Sequence, residues 1–174
     1  SGRAELIRSF RGKTPRIAES AFVSEAAYVI GDVEIGESSS VWPGAVLRAD
    51  LYPIRIGRNS HIEDNTVLHA GFSPMEIGDN VTVGHGAVLH AAKIGSNVLI
   101  GMNATVLAGA VIGDFSVIGA NALVSERMKI PQKSFVIGVP GEVKGELSPK
   151  LLEGRRRGGQ TYARLAQEFK AQGF

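Results

Sequence analysis

The sequence predicts an all-β solenoid, a chain wound into a coil of short parallel strands and closed by one α-helix. Three observations carry this prediction. Ile, Val or Leu recurs at every sixth residue through most of the chain, and all six asparagines fall at one phase of that repeat. Glycine accounts for 22 of the 174 residues, nearly twice its usual share of roughly 7 per cent. Low complexity does not explain the glycines, because 44% of the residues are hydrophobic and only 21% charged, the balance of a chain able to bury a core.

Taken in order, residues 1–16 form an N-terminal segment, in which Ser1-Gly2 is given no structural role. The coil spans 17–140. Its aliphatic register runs Ile17, Val23, Val29, Ile35, Val41, Leu47, then after three extra residues Ile56, Ile62, Leu68, and after three more Ile77, Val83, Leu89. One residue is then dropped, and the register continues as Ile94, Ile100, Val106, Ile112, Ile118, Val124, Ile130 and Val136. Four residues after each aliphatic, small side chains dominate (Ala21, Ala27, Ser39, Ala45, Ser60, Thr66, Ala87, Ala104, Ala110, Ser116, Ala122), and both positions are predicted to face a narrow interior. Glycine is frequent one residue after the aliphatic. Three residues after it stand Asn59, Asn65, Asn80, Asn97, Asn103 and Asn121, with Gly44, Gly71, Gly86 and Gly109. Asn and Gly tolerate positive φ, so each of these is predicted to be a left-handed corner. A helix has period 3.6 and an alternating strand period 2, and neither yields a period of six. Three straight sides therefore close one triangular turn of a solenoid.

Residues 141–174 are read as a linker and helix that complete a single domain. Leu147-Ser148-Pro149 opens a stretch broken by Gly154, Gly158 and Gly159. Tyr162, Leu165, Ala166 and Phe169 then fall at i, i+3, i+4 and i+7, which predicts one amphipathic helix over about 160–171. Its apolar stripe needs a surface, either the flank of the coil or a neighbouring subunit.

Charge and composition exclude several function classes. The net charge is +2, yet the two ends (1–13 and 144–174) together carry +7 and the middle −5. A nucleic-acid groove needs a basic stripe on the folded body, and this body is acidic; Arg155-Arg156-Arg157 is expected as a solvated linker before the helix. No run of eighteen apolar residues and no leader pattern is present, so a soluble, cytoplasmic protein without a membrane partner is expected. With no cysteine there is no disulfide, thiolate nucleophile or thiolate metal site, and any metal must be held by His or carboxylate.

The chain has four histidines. Grouping the sides in threes puts Arg48, His69 and His90 at the same position of the third side of successive turns, one residue after the aliphatic. They stack in a column. Neighbouring strands lie about 4.8 Å apart, so two imidazoles one turn apart can reach a single ion with bonds of about 2.0–2.1 Å. His85 sits on the second side, roughly 15 Å of chain from His90 with a corner between. If three histidines share one ion, the third must come from another subunit, and threefold packing would complete such a site three times. Three imidazoles with an open position are the pattern of catalytic zinc, which lowers the pKa of bound water to about 7. His61 is expected to be an ordinary solvated side chain.

The period and its corner residues resemble those of the hexapeptide-repeat family, which implies a left-handed parallel β-helix of hexapeptide repeats over 17–140. A sharper resemblance follows from Val41-Trp42-Pro43-Gly44-Ala45-Val46-Leu47-Arg48-Ala49-Asp50, Ile62-Glu63-Asp64-Asn65, His69, Val83-Gly84-His85, Leu89-His90, Ile100-Gly101-Met102 and Ile137-Gly138-Val139-Pro140-Gly141. Together they resemble the gamma-class carbonic anhydrase family over nearly the whole chain. The resemblance implies reversible hydration of CO2 to bicarbonate by a zinc-bound hydroxide, in a homotrimer with one ion per interface. The ligands it implies are His69 and His90 from one subunit and His85 from the next. Three imidazoles also accept Fe2+ or Co2+, so the metal is left open.

The resemblance further implies that Arg48, Asp50 and Asp64 form ion pairs between subunits near the site; a private surface pair is the alternative. Glu63 stands where the family usually has a glutamine contacting the bound water. A carboxylate there could take a proton as general base or weaken the metal's electrophilicity. Tyr162 either reaches the pocket or packs the helix. The long acidic loop of the family's active archetype is absent, since only three extra residues lie between Leu47 and Ile56 and none is a glutamate. Slow or buffer-dependent turnover follows. The alternatives are a hexapeptide acyltransferase with one catalytic histidine, a thioesterase, and a catalytically silent trimeric scaffold.

Overall fold

A computed structural model describes residues 6–157 and 159–174; Ser1-Gly2 with the rest of 1–5, and Gly158, lie outside the described residues. The chain forms a parallel β-solenoid of about seven turns with three faces. Along the first and third faces runs one bent sheet, because the long strands Tyr28–Ile35 and Val46–Ile56 turn a corner and pair on both sides of it. The third face continues through Val67–His69, Val88–His90, Thr105–Val106 and Leu123–Val124, and the first through Met75–Ile77, Lys93–Ile94, Val111–Ile112 and Lys129–Ile130. A separate sheet forms the second face, from Phe22–Val23 through Ser40–Val41, His61–Ile62, Thr82–Val83, Leu99–Ile100 and Val117–Ile118 to Ser134–Ile137.

The six-residue register governs this packing. From Val29 to Val136 every aliphatic of the register is buried, and Ile17 and Val23 pack partly buried against the open end of the same core. The small residues four positions on are buried with them. Each such aliphatic contributes roughly 1.5–3 kcal/mol, and the small partners let three strands converge on one axis. Where the small residue is Ser39 or Ser60, its hydroxyl donates to a carbonyl of the next turn, Gly57 at 2.7 Å and Gly78 at 2.8 Å.

All six asparagines adopt φ between 50° and 59°, and Gly44, Gly86 and Gly109 between 72° and 75°, so these corners are left-handed as expected. Gly71 is the exception. It is absent from the positive-φ residues, because the three residues inserted after Leu68 replace the tight corner with a loop. Ser38, Phe115, Arg127 and Lys133 occupy the same phase at φ 57° to 60°, although their side chains give no sequence signal for it.

The C-terminal region holds more than one helix. Ser134–Ile137 turns back antiparallel onto Glu142–Glu146, and α1 (Pro149–Arg156) precedes α2 (Gln160–Ala171). Ser148 caps α1, its side chain accepting from the Leu151 N–H, with proline in the first turn; that Ser-Pro pair signals a helix start, obscured in the sequence by Gly154. Arg155 and Arg156 therefore lie in a helix, and Arg155 is half-buried, which corrects the reading of the triple arginine as solvated linker. Helix α2 packs on the flank of its own coil. Ala166, Tyr162 and Phe169 cover Phe22 and Trp42, with Trp42 and Phe169 edge to face at 5.2 Å. Gln167 donates to the Ser20 carbonyl at 2.9 Å, and Lys170 to that of Glu19. Among the described residues no helix is long and apolar enough to cross a membrane.

Candidate metal and acid-base site

Strand pairing places Arg48 opposite His69 and His69 opposite His90, so the three form a column on the third face. The two imidazoles stack with centroids 5.3 Å apart and planes 26° from parallel. His69 Nε2 donates to Asp50 Oδ1 at 2.9 Å, and Arg48 is paired with the other oxygen of the same carboxylate. Burial pushes the Asp50 carboxyl up, but the hydrogen bonds from His69 and Arg48 and the Arg48 charge outweigh it and hold its pKa below the ordinary value. With its Nε2 proton committed, His69 keeps the Nδ1 lone pair free. A Cβ on Gly71 would stand 2.6 Å from that Nδ1 and 2.8 Å from His90 Nε2. The missing side chain thus leaves a gap onto which a nitrogen of each ring opens. His90 makes no side-chain hydrogen bond among the described residues.

His85 stands on the second face, in the turn after Thr82–Val83, with 47% of its side chain exposed. Its Nδ1 donates to Asp64 Oδ2 at 2.9 Å; its Nε2 lies 3.2 Å from Glu63 Oε2, and its backbone N–H donates to the same oxygen at 3.1 Å. Glu63 is buried. Tyr162 of α2 lies beside it: burial first, then hydrogen bonding to Glu63 and the charges of Glu63 and Asp64, push its phenol up to about 12. Tyr162 also packs, stacked on His61 at 5.7 Å and edge-on to Trp42 at 5.8 Å.

One chain therefore carries two groups on different faces: Arg48, Asp50, His69 and His90 in one, Glu63, Asp64, His85 and Tyr162 in the other. Among the described residues of a single chain no three His, Asp or Glu side chains meet to hold an ion. The donors nonetheless suit a divalent transition metal. Imidazole is its common ligand, and His69 and His85 each give a ring proton to a carboxylate, the usual support of a metal-ligating histidine.

His61 differs from expectation. Instead of being solvated it is fully buried beneath the start of α2. Trp42 Nε1 donates to Ser40 Oγ at 2.8 Å, Ser40 Oγ lies 2.7 Å from His61 Nδ1, and His61 Nε2 lies 3.1 Å from Asn59 Oδ1. Asn59 can only accept at Oδ1, so Nε2 carries the proton and Nδ1 accepts from Ser40: the neutral ring satisfies the whole chain of bonds. Burial drops its pKa to about 4. The sequence cue was its position two residues after the corner Asn59, in the column that α2 covers.

Beyond the edge of α2, a cleft of about 580 Å³ runs along the second face, lined by Glu63, His85 and Tyr162 at the groups just described and by Thr82, Leu99, Val117, Met102 and Arg155.

The bacterial transferase hexapeptide family (six repeats) matches residues 91–126. The chain is 40% identical to a carbonic anhydrase of Geobacillus kaustophilus over 95% of this chain and 92% of that protein. It is 37% identical to gamma carbonic anhydrase 1, mitochondrial, of Arabidopsis thaliana, over 98% of this chain and 64% of the plant protein. Among solved structures, a hexapeptide transferase family protein from Anaplasma phagocytophilum superposes with a TM-score of 0.92 at 30% identity, covering 96% of this chain and 99% of that one. With identity of this level over almost its full length, the chain belongs to the gamma-class carbonic anhydrase family of hexapeptide-repeat proteins.

Proposed function

We propose that the protein interconverts CO2 and bicarbonate as a homotrimer. A zinc ion, or ferrous iron or cobalt in its place, would be held by His69 and His90 of one copy and the partner subunit's His85. The observation that carries this reading is the division of the donors: a two-histidine column on one face and a carboxylate-braced histidine on another, neither complete alone.

When bound, such an ion supplies a Lewis acid and lowers the pKa of a coordinated water. The chain's own residues do the rest. Asp50, itself held by Arg48, fixes the His69 ring and its tautomer. Asp64 does the same for His85; the looser contact of His85 Nε2 with Glu63 is the one an ion would replace. Glu63 is the carboxylate facing Nε2 of this ring, and general-base transfer of this kind contributes typically 10²–10⁴-fold. Tyr162, its phenol pushed up to about 12 by burial and by Glu63, stays protonated at neutral pH beside that carboxylate. The bend of Val46–Ile56 brings Asp50, Leu51, Tyr52 and Pro53 but no glutamate, so protons leave through Glu63 or directly to buffer.

Stopped-flow CO2 hydration on metal-replete protein tests the proposal. Turnover that rises with buffer concentration is expected, and a rate equal to buffer alone would overturn it. The second reading, acyl transfer or thioester hydrolysis, draws on the transferase title of the Anaplasma structure and on the size of the cleft. As an acyltransferase the chain needs one histidine and no metal, so His69→Ala and His90→Ala would leave metal content unchanged.

A further inference from the structure

The cleft on the second face is far larger than a three-atom substrate requires. Its volume of about 580 Å³ lies in the middle of the range for small-molecule sites, roughly 300–1,000 Å³. Its floor follows from the repeat. The outward residue just before each inward aliphatic of this face forms a column: Ser40, His61, Thr82, Leu99 and Val117. Helix α2 covers the top of the column and leaves the apolar lower part, Leu99 and Val117, open. At the rim, Met102 is 55% exposed. Arg155 of α1 also lines the cleft. Its guanidinium is half-buried and makes no ion pair or hydrogen bond among the described residues, whereas Arg156 and Arg157 both pair with Glu153. Among the described residues the cleft's one carboxylate is Glu63, which faces His85 and Tyr162. An unpaired cation beside an apolar floor is complementary to a molecule with an anionic head and an apolar body.

We infer that this cleft binds an organic carboxylate, its head on Arg155 and its apolar body on Leu99 and Val117. The inference goes beyond CO2 hydration: Arg155 and the floor are not acid-base groups, although Glu63, His85 and Tyr162 line the same cleft, where the proposed trimer sets a partner subunit beside His85.

Calorimetric titration of the assembled protein with hexanoate tests it, run on metal-loaded and metal-stripped samples, with hexanamide and acetate as probes lacking the charge and the apolar body. Saturable binding of one hexanoate per chain is expected with or without metal. Arg155→Gln should weaken it roughly tenfold or more, the loss of a charge-assisted hydrogen bond, and hexanamide and acetate should each bind at least about tenfold more weakly for the same reason. Val117→Asp should abolish binding; if that variant does not assemble, Met102→Asp at the exposed rim makes the same test. The inference is overturned by absence of saturable binding, as when a second copy of the chain fills the cleft. It is equally overturned by binding that vanishes on metal removal or is indifferent to Arg155→Gln.

Discussion

His69 and His90 face each other across one parallel register pair, their ring centroids 5.3 Å apart, and Gly71 leaves open the space that a nitrogen of each ring borders. A methyl group at Gly71 would stand 2.3 Å from His69 Cε1. The rings can swing aside while the coil stays intact, so Gly71→Ala is expected to fold normally and bind metal about 10–100-fold more weakly. Asp50→Asn should lose a similar factor by freeing the His69 ring. Competition with a chelator of known affinity measures both, and unchanged affinity in both variants would remove the column from the site.

His61 makes stability pH-dependent. Its folded pKa, about 4, lies below the ordinary 6.5, so between these values the unfolded chain binds more protons. Stability is therefore fully present above pH 6.5 and is lost as pH falls toward 4, by about 3 kcal/mol at the full shift. Urea titrations from pH 7 to 4 should show wild type losing that much more than His61→Asn. Parallel losses in the two proteins would place the His61 ring in water.

The fold was legible in the sequence because its determinant is periodic. One aliphatic per six residues sets the interior, and Asn or Gly at a fixed phase sets the corners, as at Asn59, Asn80 and Asn103. The stacking of His69 on His90 followed from the same counting. What the period could not supply was anything fixed by chain that leaves the repeat. His61 is buried because α2 returns from about a hundred residues away to cover it, and Arg155 lines a cleft because α1 exists. Gly71 looked like a corner and is not one, since the three residues inserted after Leu68 turn that corner into a loop. Its small size serves the histidines instead.

Corner geometry gives a stability prediction independent of function. Arg127 is exposed at φ 57°, a conformation that Asn and Gly hold at lower cost. Arg127→Asn should raise stability by roughly 0.5–1 kcal/mol and Asn103→Ala should lower it by about 1 kcal/mol, read from denaturant midpoints. A stabilising Asn103→Ala would contradict the corner assignment.

Thr66 points into the core at one of the small-residue positions, fully buried, and its hydroxyl has no hydrogen-bond partner among the described residues. Valine has nearly the same shape without the unsatisfied group. Thr66→Val is expected to gain about 1 kcal/mol in chemical denaturation, and a loss of that size would show that the hydroxyl is bonded after all.

Native mass spectrometry of the zinc-loaded protein reads whether the site is divided between copies of the chain. A trimer carrying three ions is expected, and an apo trimer for His85→Ala as well as for His69→Ala and His90→Ala. An ion retained by a lone chain, or three ions still bound by the His85→Ala trimer, would contradict it.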